Sequence, residues 1–141
     1  MNILIFGPPG SGKGTYSKII SEKYNLLHIS TGEILRKYEN SDYINKIILS
    51  GELINDEIIF KILKDYIKKN INNKYYYKNN IIFDGFPRTY NQALYLNKYI
   101  KINIILKLNL DNELIFNRIL GRKIHKKSGR IYHDIYNPSV L

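Results

Sequence analysis

The sequence predicts an α/β fold in which helices cover both faces of an open parallel sheet. Short apolar runs alternate along the chain with stretches of helical periodicity. The first run, residues 2–6, leads directly into the glycine-rich segment GPPGSGKGT at 7–15. Turn-forming polar residues also follow the second and third runs. These three polar segments should meet where the parallel strands end, which is where such sheets bind their ligands.

The composition is that of a single globular domain with an excess of positive charge. The chain has 141 residues, 44% hydrophobic and 24% charged, and its net charge is +10. This charge suits an anionic partner, although a solvated surface or a biased genome composition would also produce it. The absence of cysteine excludes disulfides and thiolate zinc sites. No apolar run approaches the ~20 residues of a membrane helix and the first strand leaves no room for a signal peptide, so we expect a cytoplasmic protein.

The first quarter of the chain contains two strand–helix units. After the first strand and the glycine-rich segment, residues 13–24 form a predicted helix with Ile19 and Ile20 on its inner side. Residues 26–29 are the second predicted strand. Residues 30–33, STGE, match a capping box, so we expect the next helix to begin there.

The middle of the chain contains a long helix, a polar loop and the third strand. Asn55 or Asp56 can cap the helix. Residues 70–80 are polar and low in complexity, which predicts a surface loop. Residues 81–83 form a third buried strand, which ends at Asp84.

Two further helices flank a fourth strand. Residues 89–92, TYNQ, match a second capping box and predict a helix that runs to about Tyr99. Residues 102–108 are the fourth predicted strand. Asp111 caps the next helix, and Gly121 is well placed to end it.

The glycine-rich segment predicts a phosphate-binding loop. Its glycines allow the backbone to approach phosphate oxygens closely, and the helix that begins at Lys13 adds an anion-binding N-terminus. Lys13 can bridge the β- and γ-phosphates of a nucleotide. The alternative is a strand-to-helix turn that binds nothing.

Gly14 stands where such loops ordinarily carry the Ser or Thr that binds Mg²⁺. The first hydroxyl comes one residue later, at Thr15. A metal therefore needs a carboxylate from elsewhere, and Asp84 at the end of the third strand is well placed to hold Mg²⁺ through water. The alternative role of Asp84 is to form the turn before Gly85.

Five segments of the chain resemble the adenylate kinases, within the nucleoside monophosphate kinases. They are GPPGSGKGT at 7–15, ISTGEILR at 29–36, SGELINDE at 50–57, FDGFPRTYNQA at 83–93 and GRKIHKKSGRIYHDIYNP at 121–138. The pieces follow the family's order over essentially the whole chain, and GKGT together with FDGFPRT is highly specific. The resemblance implies a P-loop kinase fold with two insertions. Its implied parts are a core at 1–29 and 55–120, an NMP-binding subdomain at 30–54, and the start of a lid at 121–141.

The resemblance also implies which residues hold each nucleotide. Those implied for ATP are Gly10, Ser11, Gly12, Lys13, Gly14, Thr15, Arg118, Arg122, Ile131 and Tyr132. Those implied for AMP are Thr31, Arg36, Glu52, Leu53, Ile54, Gly85, Phe86, Pro87, Arg88 and Gln92. Lys13, Arg88 and Arg122 are the implied catalytic residues, with Mg²⁺ accompanying ATP and no zinc.

The reaction that the resemblance implies is reversible transfer of the terminal phosphoryl group from ATP to AMP, giving two ADP, a step of nucleotide biosynthesis. Rival functions are a kinase that uses GTP or a pyrimidine nucleotide, and a nucleotide-binding chain without activity. The long lid disfavours the pyrimidine kinases. A third rival is RNA binding by a basic arm within the stretch 118–130. The interleaved sequence HKKSGRIYH in this stretch matches a kinase lid better than such an arm. We therefore expect ATP and AMP as partners, without membrane or nucleic acid, and a monomer if the chain is complete.

Several residues in these segments have simpler alternative roles. Gln92 occupies the third position after the cap of a capping box, so capping alone would explain it. Arg36 fits a solvated helix face equally well. His125 and Ser128 fall where some relatives place zinc-binding cysteines, and without cysteine we expect them in a polar hydrogen-bond network.

The chain departs from the family pattern in two ways. It stops at Leu141, just inside the lid, so we expect a partial sequence that lacks two further phosphate-binding arginines. The fourth strand would then be an exposed edge. Glu52 is the lesser departure, because a lysine is often found there and an acid beside AMP is unfavourable unless only its backbone faces the base.

Overall fold

The first four strands and the helices between them follow one another in the predicted order, and the last helix is followed by a short β-hairpin that had not been predicted. A computed structural model describes residues 1–37, 41–50, 54–70, 80–125 and 130–139. The strands are β1 (Asn2–Phe6), β2 (Leu27–Ser30), β3 (Ile81–Asp84), β4 (Ile104–Lys107), β5 (Arg122–Ile124) and β6 (Ile131–His133). The helices are α1 (Lys13–Tyr24), α2 (Thr31–Lys37), α3 (Ser41–Ser50), α4 (Asp56–Asn70), α5 (Tyr90–Tyr99) and α6 (Asn112–Leu120). The predicted loop at 70–80 lies, apart from its ends, outside the described residues.

Strands β1 to β4 form one parallel sheet in the order β2–β3–β1–β4, while β5 and β6 form an antiparallel hairpin. Asp84 at the end of β3 lies opposite Ser30 of β2 on one side and Ile5 of β1 on the other. The segments that follow these three strands therefore meet at one edge, as predicted.

The side chain of Asn2 ties β1 to the segments on both sides of it. It is fully buried, its Oδ1 accepts from the backbone N–H of Ile81 at 3.2 Å, and its Nδ2 donates to the backbone oxygen of Lys101 at 2.9 Å. The start of the central strand is thus held to the starts of both neighbours.

Alternating residues of the strands face two separate apolar clusters. One face carries Leu4, Ile29, Ile81 and Phe83, which pack with apolar residues of α2, α4 and α5. The other face carries Ile3 and Ile82, which pack with Ile20 of α1. Helices therefore cover both faces, which confirms the predicted fold class.

The exposure of two isoleucine side chains tests the predictions made for α1 and β4. Ile19 of α1 was expected to face inward, but its side chain is 53% exposed; the small Ser17 is the residue of α1 that is buried. The prediction was wrong because α1 lies on the sheet along a face set by Ser17 and Ile20. The expected open edge at β4 is confirmed, since Ile105 is 64% exposed.

The predicted helix starts are confirmed at several positions. Thr89 precedes α5 and its hydroxyl accepts from the backbone N–H of Gln92 at 3.1 Å. Asn55 caps α4, since its Oδ1 accepts from the backbone N–H of Glu57. Asp111 holds the cap position of α6, yet its side chain makes no cap hydrogen bond.

The strand limits differ slightly from those predicted. The second strand begins at Leu27 because the N–H of Leu26 still donates to Ser21 at the end of α1. The fourth strand is confined to Ile104–Lys107, inside the predicted range of 102–108. None of the described helices is long and apolar enough to cross a membrane.

Candidate functional site

The glycine-rich loop connects β1 to α1 and leaves the start of the helix uncapped. Gly10 and Gly12 have φ angles of 78° and 90°, a backbone region in which L side chains are strained. Gly12 holds the cap position of α1 and, as a glycine, has no side chain with which to cap the first turn of the helix. The N–H groups of that turn are therefore suited to an anion.

Lys13 bonds to its own loop. Its Nζ donates to the backbone oxygens of Gly7 at 2.7 Å and Pro8 at 2.8 Å. Burial lowers the pKa of Lys13, the Asp84 carboxylate acts in the opposite direction, and Arg88 and Arg122 add to the lowering. Lys13, Asp84, Arg88 and Arg122 therefore share one electrostatic environment, although only Asp84 and Arg88 are close in the sequence and every other pair is 34 residues or more apart.

Asp84 faces the position where the loop lacks a side chain. A Cβ atom on Gly14 would lie 3.5 Å from Asp84 Oδ2, so the missing hydroxyl and this carboxylate belong to the same space. Asp84 is buried, with 8% of its surface exposed. Within the described ranges, no group of three or more acids and histidines that could hold a metal occurs. One carboxylate with water and substrate phosphates is the donor set that fits Mg²⁺, so the residues present suit a metal that arrives with a nucleotide.

His28 is a neighbour of Asp84 that sequence reasoning missed. Its Nε2 is buried without a hydrogen-bond partner among the described residues and lies 3.7 Å from Asp84 Oδ2. The sequence offered one clue to this role, which is that His28 is the polar residue in the otherwise apolar segment LLHI at 26–29. His28 gives the carboxylate a polar neighbour on the β2 side.

Thr31, Gly85 and Arg88 line the ends of β2 and β3. The hydroxyl of buried Thr31 donates to the backbone oxygen of Asp84 at 3.1 Å. Gly85 has a φ of 80°, and the Nε of Arg88 donates to its backbone oxygen at 2.8 Å. Arg88 remains exposed. Of the other residues expected at AMP, Phe86 and Pro87 are buried, Arg36 lies on α2, and Glu52 and Leu53 lie outside the described residues.

Gln92 is buried in a hydrogen-bond network with Asp56. Its Oε1 accepts from the backbone N–H of Arg88 at 2.7 Å, and its Nε2 donates to Asp56 Oδ1 at 2.6 Å. The hydroxyl of Thr89 donates to the other oxygen of Asp56 at 3.1 Å. In a capping box the side chain of Gln92 would bond to the N–H of the cap residue, Thr89. Here it bonds to the N–H of Arg88, one residue earlier. The role of Gln92 at a base stays a prediction, and its link to Asp56 had no signal in the sequence.

A cleft of about 560 Å³ opens beside this network. Its lining residues are Ile54, Asn55, Asp56, Glu57, Phe60, Thr89 and Asn91. Ile54 is the described member of the segment expected at the adenine of AMP. Two members of the hydrogen-bond network, Asp56 and Thr89, thus line the cleft.

On the other side of the loop, Arg118 of α6 contacts both the loop and the chain after β6. Its Nη1 donates to the backbone oxygen of Gly10 at 3.3 Å, and its guanidinium lies 4.9 Å from the centre of the Tyr136 ring. Arg122 on β5 is exposed, whereas Ile131 and Tyr132 on β6 are half-buried. Arg118 thus already stacks on an aromatic ring where an adenine was expected.

His133 anchors the β5–β6 hairpin to α6. Its Nδ1 accepts from the backbone N–H groups of Ile135 and Tyr136, so the proton is on Nε2, which lies 3.2 Å from the backbone oxygen of Asn117. A Cβ on Gly121 would overlap the His133 ring. Gly121 ends α6 as predicted, but with a φ of −86°; its lack of a side chain serves this close approach and not a left-handed turn.

The expected polar network around His125 and Ser128 is described only in part. The backbone N–H of His125 donates to Arg130 at 2.9 Å, which closes the hairpin. Ser128 lies outside the described residues. The expectation for these two side chains stays a prediction.

Comparison with known proteins gives a consistent result. The sequence profile of the adenylate kinase family matches residues 5–139. The chain is similar to an adenylate kinase from Wigglesworthia glossinidia brevipalpis, with 50% identity over 139 residues. It is also similar to an adenylate kinase from Francisella tularensis subsp. novicida (strain U112), with 44% identity over 144 residues. Each comparison covers 98% of this chain and 64% of the relative, so the chain spans less than two thirds of these relatives' length.

Proposed function

The chain belongs to the adenylate kinase family, and we propose that it binds ATP and AMP and transfers the terminal phosphoryl group between them, giving two ADP. One observation carries the proposal beyond membership: Lys13, Asp84, Arg88 and Arg122 interact electrostatically around one glycine-rich loop. Lys13, Asp84 and Arg88 lie at the end of the parallel sheet, and Arg122 of the β5–β6 hairpin acts on Lys13 as well. Three cations and one carboxylate in this arrangement suit the transfer of a charged phosphoryl group.

The donor nucleotide would bind along the loop and α6. The N–H groups at the start of α1 would receive the phosphates, and Lys13 would exchange the backbone oxygens of Gly7 and Pro8 for phosphate oxygens. Arg118 would stack on the base in place of Tyr136, and Arg122 would bind phosphate. The other residues proposed for ATP are Gly10, Ser11, Gly12, Gly14, Thr15, Ile131 and Tyr132.

The acceptor nucleotide would bind at the ends of β2 and β3. Arg88 would bind its phosphate, and Gln92 would read its base from the cleft side. The other residues proposed for AMP are Thr31, Arg36, Glu52, Leu53, Ile54, Gly85, Phe86 and Pro87. With this assignment, residues 1–29 and 55–120 form the core, 30–54 the AMP-binding part, and 121–141 the start of the lid.

Catalysis requires no covalent intermediate in this proposal. Lys13, Arg88 and Arg122 hold the phosphates in line and balance their charge as the phosphoryl group moves. Asp84 would hold Mg²⁺ through water, and the ion would supply charge neutralisation at the phosphates. We propose a cytoplasmic monomer whose partners are the two nucleotides.

A calorimetric titration beside a coupled assay of ADP formation tests the proposal. We expect the chain to bind ATP and AMP separately and to form ADP only when both and Mg²⁺ are present. Replacing AMP by CMP or UMP, and ATP by GTP, should reduce the rate. Binding of both nucleotides without ADP would refute the proposed turnover, and absence of binding would refute the whole assignment.

A further inference from the structure

The amide of Gln92 is held in one orientation by groups of opposite hydrogen-bonding character. A backbone N–H can only donate, so the atom 2.7 Å from the Arg88 nitrogen must be the amide oxygen. A carboxylate can only accept, so the atom 2.6 Å from Asp56 Oδ1 must be the amide nitrogen. Turning the amide over would place donor against donor and acceptor against acceptor.

Asp56 is itself prevented from turning. Its second oxygen accepts from the Thr89 hydroxyl, and that hydroxyl also accepts from the N–H of Gln92 to cap α5. Asp56 lies at the start of α4, so these two contacts join the starts of α4 and α5 through residues that are 33 and 36 positions apart in the chain. We call Asp56, Thr89 and Gln92 the amide clamp.

The orientation of an amide decides which purine edge it matches. A 6-aminopurine offers an N–H donor at C6 and an acceptor at N1, whereas a 6-oxopurine offers the reverse pair. In a fixed pose of the base, one orientation of Gln92 pairs with the first edge and opposes the second. After its bonds to the protein, the amide still has one N–H and one lone pair for this purpose.

We propose that Asp56 is the positioning residue that makes the acceptor site selective for a 6-aminopurine over a 6-oxopurine. The inference rests on the proposed function, because it takes Gln92 as the residue that reads the base. Asp56 contributes through Gln92 and through the burial of that side chain, which is 2% exposed. The specificity is built into the protein before the nucleotide arrives.

The test compares the affinities of AMP and inosine monophosphate, which differ only at this edge of the base, by calorimetry. In Asp56→Asn the new amide can either donate or accept, so Gln92 is no longer held from that side. We expect the ratio of the dissociation constant for inosine monophosphate to that for AMP to fall by about tenfold, on the scale of one charge-assisted hydrogen bond. Asp65→Asn is the matched control, since Asp65 lies on the same helix, undergoes the same change of charge and is not among the residues that line the cleft; its ratio should equal that of the unmodified chain.

A double-mutant cycle separates positioning from direct contact with the base. In a Gln92→Ala background, Asp56→Asn should leave the ratio unchanged, because the residue through which it acts has gone. Thr89→Val removes the hydrogen bond to the second oxygen of Asp56 and should lower the same ratio by a smaller factor. This variant replaces Asp56→Asn in the test if Asp56→Asn does not fold. Equal weakening of both nucleotides by Asp56→Asn, or an unchanged ratio, would overturn the inference. Failure of the unmodified chain to bind AMP, or its preference for inosine monophosphate, would instead overturn the proposed function.

Discussion

The two sides of the candidate site differ in how their polar groups are satisfied. On the acceptor side, Asp56, Thr89 and Gln92 bond to one another, and Gln92 is 2% exposed. On the donor side, the Nζ of Lys13 donates to the backbone oxygens of Gly7 and Pro8, and the guanidinium of Arg118 stacks on the Tyr136 ring. Preformed polar groups cost less to order when a ligand binds. The acceptor side is therefore arranged in advance by the protein, whereas on the donor side our proposal requires Lys13 and Arg118 to exchange contacts within the protein for contacts with the nucleotide.

Lys13→Met should have the largest effect and should separate the two sides. The loop loses the ammonium group that we place at the transferred phosphoryl group, so turnover should fall at least ~100-fold, the scale for one preorganised donor. AMP affinity should change little, because the amide clamp does not involve the loop. Steady-state assays of ADP formation and calorimetry with AMP measure these effects. Lys18→Met, an exposed lysine of α1, is the control, and a loss of less than about tenfold would contradict the catalytic role.

Asp84→Asn should have the next largest effect, on the requirement for metal. The change is nearly isosteric and keeps a turn-forming side chain before Gly85, so the fold should be retained. Activity should fall and be partly restored by high Mg²⁺ or by Mn²⁺. Thr15→Ala should shift the Mg²⁺ requirement much less, since it is Gly14 that faces the carboxylate. The opposite ranking of the two variants in a Mg²⁺ titration would show that Thr15 serves the metal.

Gly121→Ala should have the smallest effect and should be confined to the donor side. The added methyl group would overlap the ring of His133 and push the hairpin away from α6, at a cost of about 1–3 kcal/mol. Hydrogen exchange at the amides of Ile135 and Tyr136 should speed up, and ATP should bind more weakly while AMP binds as before. Gly14→Ala is the control for this exchange measurement, since its methyl group fits at ordinary contact distance. Equal weakening of both nucleotides would mean that the two sides are not independent.

The sequence predicted those features that depend on neighbouring residues. The four parallel strands and the cap at Thr89 follow from periodicity and local hydrogen bonding. The inward face of α1 could not be predicted, because it depends on how closely Ser17 approaches the sheet. Local patterns carry no information about such a distance.

Within the candidate site, the residue types were predictable and their partners were not. The contact of Gln92 with Asp56 spans 36 residues, and the contact of Arg118 with Gly10 spans 108. Both depend on where helices are placed by packing elsewhere in the chain. Gly121 shows the same limit, since its position was predicted but the His133 ring that requires it was not.

The buried Asn2 side chain has a consequence for synthesis of the chain. Strand β1 is made before both of its neighbours in the sheet, β3 and β4, and Asn2 bonds to Ile81 and Lys101. At the usual rate of translation, on the order of ten seconds pass between the synthesis of Asn2 and that of Ile81. Throughout that interval the apolar strand has none of its sheet partners. We therefore expect the central position in the sheet to be filled late, after β3 and β4 have been made.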